Sequence, residues 1–331
     1  MSEVRSMLLE NRLLGVLAFL CLLIAGFGLA SPNFLSLSNA NTIALNGSIL
    51  VIVACAEAIV VLTRNYDLSV GSMVALCAYV GFDLIRRYPD LGPLLMLAPV
   101  VVGGLCGIVN GLLVAYGRVP AVIATLGTMS IFRGVAFLYA GGGQIDQKDL
   151  PAWVSVPVNG QVFGIATLPI IAACVVAGVA LLLQRLPIGR QIYAVGSNPQ
   201  AAEYFGLDSR RIVFSAYVLC GLLVGLAAFL FGARSSWIVP YLAQGLELTV
   251  LAAVVIGGVS VLGGSGNVVG AAVGAIAIVT IDNGLILVGT SDFVRQFVQG
   301  AAIVVAVVVD AFVQRRIAAL QQARRFRKDL T

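Results

Sequence analysis

The stretch Leu186–Arg211, LPIGRQIYAVGSNPQAAEYFGLDSRR, is a polar island in a chain that otherwise reads as membrane. It places Arg190, Asn198, Glu203, Asp208, Arg210 and Arg211 between two long apolar runs. Inside it, Asn198–Pro199 reads as the start of a short helix, because Asn is a strong N-cap and Pro suits the first helical position. QAAEYF continues that helix and Gly206 stops it. Ala201 and Ala202 offer a small-residue surface, with Tyr204 and Phe205 free to fill a groove. The loop is the main place where so hydrophobic a chain can address a soluble partner. An ordinary surface helix is the alternative.

Working outward, the 331 residues are 60% hydrophobic and only 11% charged, with a mean hydropathy of +1.03. A soluble domain carries about 25% charged residues, so the solvent for this chain is lipid. The net charge of +5 does not point to nucleic acid. The basic residues cluster at the ends of apolar runs and in the tail, without interleaved aromatics. There is no His, which removes the commonest general base and metal ligand. The six cysteines, Cys21, Cys55, Cys77, Cys106, Cys174 and Cys220, sit in or beside apolar runs and form no CxxC. They read as small buried hydrophobes. Neither lysine, Lys148 or Lys328, falls in a GxxxxGK[ST] motif, so the chain carries no phosphate-binding loop of its own. With no Ser/Lys dyad at helical spacing either, an intramembrane enzyme is disfavoured.

A span-length window predicts ten transmembrane helices: Leu13–Ala30, Asn41–Thr63, Ser69–Ile85, Leu91–Tyr116, Ala121–Ala140, Ala166–Leu183, Ile212–Gly232, Leu248–Leu262, Val268–Val288 and Phe293–Phe312. The eighth is short and Gly-rich, so nine or eleven are alternatives. The first follows Arg5 and Arg12 and ends in GLAS, like a signal peptide, but its length favours an uncleaved span. The expected fold is an all-α polytopic membrane protein, one transmembrane domain over residues 1–331. The loop 186–211 and a basic tail at 313–331 would be cytoplasmic. Ten spans put both termini on one side. That side gathers Arg5, Arg12, Arg64, Arg118, Arg185, Arg190, Arg210 and Arg211 with the tail's Arg315, Arg316, Arg324, Arg325, Arg327 and Lys328, which makes it cytoplasmic. Arg86 and Arg87 are exceptions on the outer side. The spans are rich in Gly, Ala and Val, as close helix packing in lipid requires.

Ionisable groups inside spans usually face a bundle interior or a water path. Glu57, Asp83, Arg133, Arg234, Glu247, Asp282 and Arg295 are of this kind, with Asn46, Asn110 and Asn283 as neutral companions. Glu57, deep in CAEAIVVLT, either lines a path or makes a structural hydrogen bond. TRNYDLSVGS, Thr63–Ser72, is a very short connection in which Asp67 and Ser69 can cap the next helix. It is either a capped re-entry turn or a gate formed with Arg64. The Gly-rich GGVSVLGGSGN, Gly257–Asn267, lacks the lysine that phosphate binding wants and reads as a broken helix or tight inner turn.

Four segments resemble a known family. LTRNYDLSVGS resembles the (G/R)xxDLSVGS stretch of the permease subunits of ribose-, xylose- and arabinose-type sugar ABC importers. PAVIATLGTMSIFRGVA, Pro120–Ala136, resembles their PxFIxTLGxxxxxRG segment, and GRQIYAVGSNPQAAEYFGL, Gly189–Leu207, their GRxxYAxGxNxxAAxxxGI loop. LELTVLAAVVIGGVSVLGGSGNVVGAAVGA, Leu246–Ala275, resembles their ELxAIAAVVLGGxSLxGGxG block. LTRN and the GGGQ after the fifth span look most like rhamnose and autoinducer-2 permeases. The resemblance implies an inner-membrane, multi-pass permease working as a homo- or heterodimer. It would stand beside ATPase subunits, which bind ATP and Mg, and a periplasmic sugar-binding protein. It makes Gly189–Leu207 the segment that docks on the ATPase, with Gly189, Arg190, Asn198, Pro199, Ala201, Ala202, Glu203 and Gly206 as candidate coupling residues. Glu57, Arg64, Asp67, Ser69, Asn110, Thr125, Glu247 and Thr249 are the candidate path or gate residues. Many members carry an acid two positions after Glu247, where this chain has Thr249. No cofactor is expected in the chain itself. An ion-coupled secondary transporter is the rival; it would need a chain of midplane carboxylates, and essentially Glu57 alone qualifies.

Overall fold

The computed structural model describes residues 12–302 together with 304, 305 and 308. Seven helices among them are long and apolar enough to cross a membrane. In chain order the main helices are α1 (Arg12–Ala30), α2 (Leu37–Leu62), α3 (Val70–Arg87), α4 (Leu97–Gly111, prolonged by a wider turn over Leu112–Tyr116) and α5 (Ala121–Ala140). They continue with α6 (Thr167–Arg185), α7 (Pro187–Ser197), α8 (Pro199–Tyr204), α9 (Ser209–Arg234), α10 (Leu246–Ile256) and α11 (Val268–Leu287). Residues 292–302 are again helical. The basic tail and the last part of the tenth expected span lie outside the described residues.

The bundle is built around α2. Ser36 caps it by accepting from the Asn39 amide at 3.2 Å. Every residue from Gly47 to Leu62 is buried, which is how a helix apolar on all sides behaves when others surround it. By contrast α1, α5 and α6 leave most of their apolar surface outside: Leu22 is 71% exposed, Leu29 91% and Leu138 83%. In water such a surface would aggregate; in hydrocarbon it is the outer wall.

Two of the expected spans differ from simple crossings. Ser69–Ile85 is α3, 18 residues long with 14 of them buried, and it carries three charges near its end. Asp83 there accepts from Arg86 at 2.8 Å, Arg87 at 2.7 Å and the Tyr139 hydroxyl at 2.8 Å, which accounts for the two arginines that break the charge pattern. The eighth span, expected at Leu248–Leu262, is shorter as a helix: α10 ends at Ile256. At 1.5 Å per residue its 11 residues cover about 16 Å, roughly half the hydrocarbon thickness. Beyond it, Gly258, Gly263, Gly264 and Gly266 take positive φ, so the chain turns back through conformations that side-chain-bearing residues resist.

Small residues let α4 and α9 approach closely. A Cβ on Gly103 of α4 would lie 2.2 Å from the Gly221 carbonyl of α9, and one on Gly225 would lie 2.4 Å from the Pro99 carbonyl. Gly103/Gly107 and Gly221/Gly225 are thus GxxxG pairs facing each other, and backbone contact replaces the hydrophobic drive that lipid removes. At one end of the bundle, the strand Ile145–Asp146 pairs antiparallel with Trp237–Ile238. This ties the loop after α5 to the loop after α9.

Candidate coupling site and buried polar core

The polar island folds as two helices rather than one. Pro187 opens α7, and Gly189 packs so tightly on α6 that a Cβ would lie 2.3 Å from the Leu183 carbonyl. Asn198 then caps α8 by accepting from the Ala201 amide at 3.1 Å, with Pro199 in the first turn. The helix ends as its sequence indicates. Gly206, at φ 81°, donates to the Glu203 carbonyl, and Leu207 donates to that of Ala202, the paired bonds of a Schellman stop. Asp208 caps α9 by accepting from the amides of Arg210 and Arg211.

The exposed face of α8 differs from the expected one. Ala202 is buried against the rest of the chain, and Ala201 is half-buried. The side chains left outside are Gln200, Glu203, Tyr204 at 92% exposure and, just past the helix, Phe205 at 87%. A six-residue helix with small residues inward turns its aromatics outward by geometry alone. Arg190 is exposed on α7 and donates to the Arg185 carbonyl at 3.3 Å.

What α8 is attached to matters more. The end of α7 meets the end of α2 and the Gly-rich turn in one junction. Arg64 donates through Nε to the Gly196 carbonyl at 2.6 Å and through Nη2 to the Ser197 carbonyl at 2.9 Å. It thereby caps the C-terminus of α7 with a cation, where the helix dipole favours one. The Gly264 amide donates to the Leu62 carbonyl at 2.9 Å, and Ser197 Oγ to the Gly264 carbonyl at 3.3 Å. A Cβ on Gly196 would stand 1.8 Å from the Leu62 carbonyl. Tyr193 of α7 donates to the Gly266 carbonyl at 2.9 Å.

From this junction the chain runs Arg64–Asn65–Tyr66–Asp67 into the interior. The Tyr66 hydroxyl donates to the Val261 carbonyl, and Tyr217 of α9 donates to the Tyr66 carbonyl at 2.9 Å. Asp67 is buried. Its Oδ1 accepts from the Ser69 amide at 3.0 Å and hydroxyl at 2.5 Å, and its Oδ2 from Asn110 Nδ2 at 3.0 Å. Asn110 also donates to Ser69 Oγ at 2.8 Å. Glu57 Oε1 accepts from the Asp67 amide at 3.0 Å, while its Oε2 and Asn110 Oδ1 are buried without partners among the described residues. Two carboxylates in one apolar core are costly unless hydrogen-bonded. The core satisfies Asp67 fully and Glu57 by half.

Glu57, Asp67, Ser69 and Asn110 are therefore one cluster, and Arg64 joins it to the coupling segment. Thr125 stays apart: its hydroxyl donates to the Ala121 carbonyl of its own helix. Glu247 begins α10 beside Gly71, where a Cβ would lie 2.2 Å from Glu247 Oε2. That oxygen is buried and unpartnered among the described residues. Arg133 holds the preceding loop by donating to the Pro240 and Leu242 carbonyls. Thr249, one helical step on, lines a separate cavity with Asn46 and Asn283. Sequence reasoning passed over Tyr66, Tyr217 and Gly196. Gly196, directly before the Ser-Asn-Pro helix start, is the one with a local signal; the tyrosines are marked only by long-range contacts.

A family model described as "Branched-chain amino acid transport system / permease component" matches residues 39–307. The Autoinducer 2 import system permease protein LsrC of Enterobacter sp. (strain 638) is 35% identical over 323 residues, covering 96% of this chain and 92% of the relative. The Ribose import permease protein RbsC of Escherichia coli (strain K12) is 36% identical over 297 residues, 88% of this chain and 91% of the relative. No solved structure matches the chain. By family model and by relatives matched over nearly their whole length, this chain belongs to the permease components of this transport family, as a membrane-embedded transport subunit of the bacterial inner membrane.

Proposed function

We propose that the chain is the membrane subunit of a binding-protein-dependent ABC importer for a monosaccharide or similar polyol, of the ribose, rhamnose or autoinducer-2 kind. The relatives' names supply the substrate class. The observation that carries the mechanism is the Arg64 junction. α8 presents Tyr204 and Phe205 outward, and α7, joined to it through the single residue Asn198, is fastened by two hydrogen bonds to the loop that holds Asp67. A push on α8 reaches the buried core within one side chain.

In this reading a separate ATPase, which binds ATP and Mg, grips α8, and a secreted binding protein delivers substrate at the other end of the bundle. Two permease copies or paralogues form the path between them. The chain crosses ten times, with α10 in the eighth crossing, Leu248–Leu262, and both termini lie in the cytoplasm with the 186–211 loop. Glu57, Asp67 and Asn110 act as the inner gate, whose hydrogen bonds exchange when the bundle tilts. The test is uptake by proteoliposomes containing the chain, its ATPase and its binding protein, with Arg64→Ala compared to wild type. The reading expects binding-protein-stimulated ATP hydrolysis to persist while uptake falls. Parallel loss of both would mean that Arg64 only supports assembly, and unchanged uptake would sink the transmission claim.

A further inference from the structure

A cavity of about 420 Å³ lies between α2, α9, α10 and α11. Its volume is within the usual range for small-molecule sites. It sits far from α8. Asn46 is sixteen residues up α2 from Leu62, about 24 Å along the helix axis. Arg234 and Ser235 stand at the far end of α9, which starts directly after the coupling loop. The cavity therefore lies toward the end where the 145–146 and 237–238 strands tie the loops together.

Its walls mix two kinds of surface. Phe231, Leu50 and Ile286 supply apolar faces. Against them stand a guanidinium, a carboxylate, two amides and a hydroxyl, from Arg234, Asp282, Asn46, Asn283 and Thr249. Arg234 Nη2 donates to Asn46 Oδ1 at 2.8 Å. Asp282 Oδ1 accepts from Gln299 at 3.2 Å and lies 3.8 Å from Arg295. Asn283 differs from these neighbours. It is 7% exposed, lines the cavity, and its Oδ1 has no hydrogen-bond partner among the described residues. No protein group among the described residues uses that oxygen, and it is itself covered, so it becomes an acceptor for a ligand once the amide turns toward the cavity.

We infer that this cavity binds a neutral polyhydroxylated molecule, with Arg234, Thr249 and Asn46 meeting its hydroxyls and the Asn283 amide turning to accept from one. Fixed donors and acceptors interleaved with apolar walls match a molecule whose hydroxyls both donate and accept while its C–H faces stay apolar. A purely hydrophobic passenger would leave these polar groups stranded, and an anion would meet Asp282. The inference rests on the proposed import of a sugar-like substrate and locates it within this chain.

Two measurements test it separately from that reading. In the reconstituted complex, Asn283→Ala removes an amide oxygen that has no partner among the described residues, so no hydrogen bond of the fold is lost with it. The expected result is a tenfold or greater fall in uptake of the transported sugar, from a panel of D-ribose, D-xylose, L-arabinose and L-rhamnose, with the melting temperature unchanged or raised. Uptake within twofold of wild type, or a fall matched by lost folded protein, overturns the inference. The second measurement uses the chain alone in lipid nanodiscs, with Thr249→Cys on a background of Cys21→Ala and Cys174→Ala, since the other four cysteines are buried. Labelling by a water-soluble methanethiosulfonate should slow severalfold when one of the four sugars is present at saturation. Equal rates with all four overturn the inference whatever the complex transports. Protection of the cavity without ATP-dependent uptake by the complex contradicts the proposed import and leaves the site standing.

Discussion

Arg64 has φ 67°, in the left-handed region where a residue with a Cβ is uncommon. Its side chain explains why it is there: both bonds to the α7 carbonyls need the guanidinium turned back over Leu62. Arg64→Gly keeps the backbone comfortable and removes the bonds, so it separates the two effects. Uptake should fall about fivefold or more in both Arg64→Gly and Arg64→Ala, whereas full activity in Arg64→Gly would assign the role to backbone strain. Asp67 makes a different prediction. Asp67→Ala strips three hydrogen bonds from a buried site and leaves Asn110 donating to Ser69 alone, a loss of about 2–4 kcal/mol, read as a lower melting temperature in detergent. Asp208→Ala, by comparison, removes an exposed cap and an exposed ion pair to Arg211 and should cost about 1 kcal/mol. At this scale the sequence was partly legible. Glu57, Asp67, Ser69 and Asn110 stood out as polar residues in apolar surroundings. Nothing local, however, brings position 110 to position 67, or Arg64 to Gly196, because those contacts exist only once the helices have packed.

Among the elements, α8 was the most legible, since Asn-Pro, the alanines and Gly206 each have one dominant local meaning. Its orientation was not. Whether Ala202 or Tyr204 faces outward depends on where α7 and α9 anchor it, and the structure turns Ala202 inward. Tyr204→Ala with Phe205→Ala should therefore release the ATPase in a pull-down while leaving the chain's melting temperature unchanged; a lower melting temperature would show that the two rings support the fold. A bulky charge at Ala202 would instead damage the chain itself. The α4–α9 pair gives the converse case. The abundance of small residues predicted close packing, but which glycines touch is set by register. Gly103→Leu places a side chain where a carbonyl stands 2.2 Å away, so the helices must part. Overpacking of this kind costs about 1–3 kcal/mol or more, visible as loss of the monodisperse species in size-exclusion chromatography. Gly134, with open space around it, should accept Ala without effect. α10 was misjudged in length because hydropathy runs on past Ile256 into Val259, Val261 and Leu262, whereas the glycines between them break the helix.

At the scale of the whole molecule, the proposed mechanism is a lever. One end is α8, the fulcrum is the junction of Leu62, Arg64, Gly196 and Gly264, and the load is the carboxylate core with the cavity beyond it. Composition alone was enough to assign a membrane bundle, since 60% hydrophobic and 11% charged residues leave no other solvent. The connection between the two ends was not readable, because it is made by a side chain reaching 132 residues along the chain. The most direct measurement is sugar uptake by proteoliposomes holding the chain, its ATPase and its binding protein, with the ATPase either active or inactivated and the proton gradient either present or dissipated. The lever predicts uptake that stops with the inactive ATPase and is indifferent to the gradient. Uptake that continues without ATP hydrolysis and collapses with the gradient would contradict it.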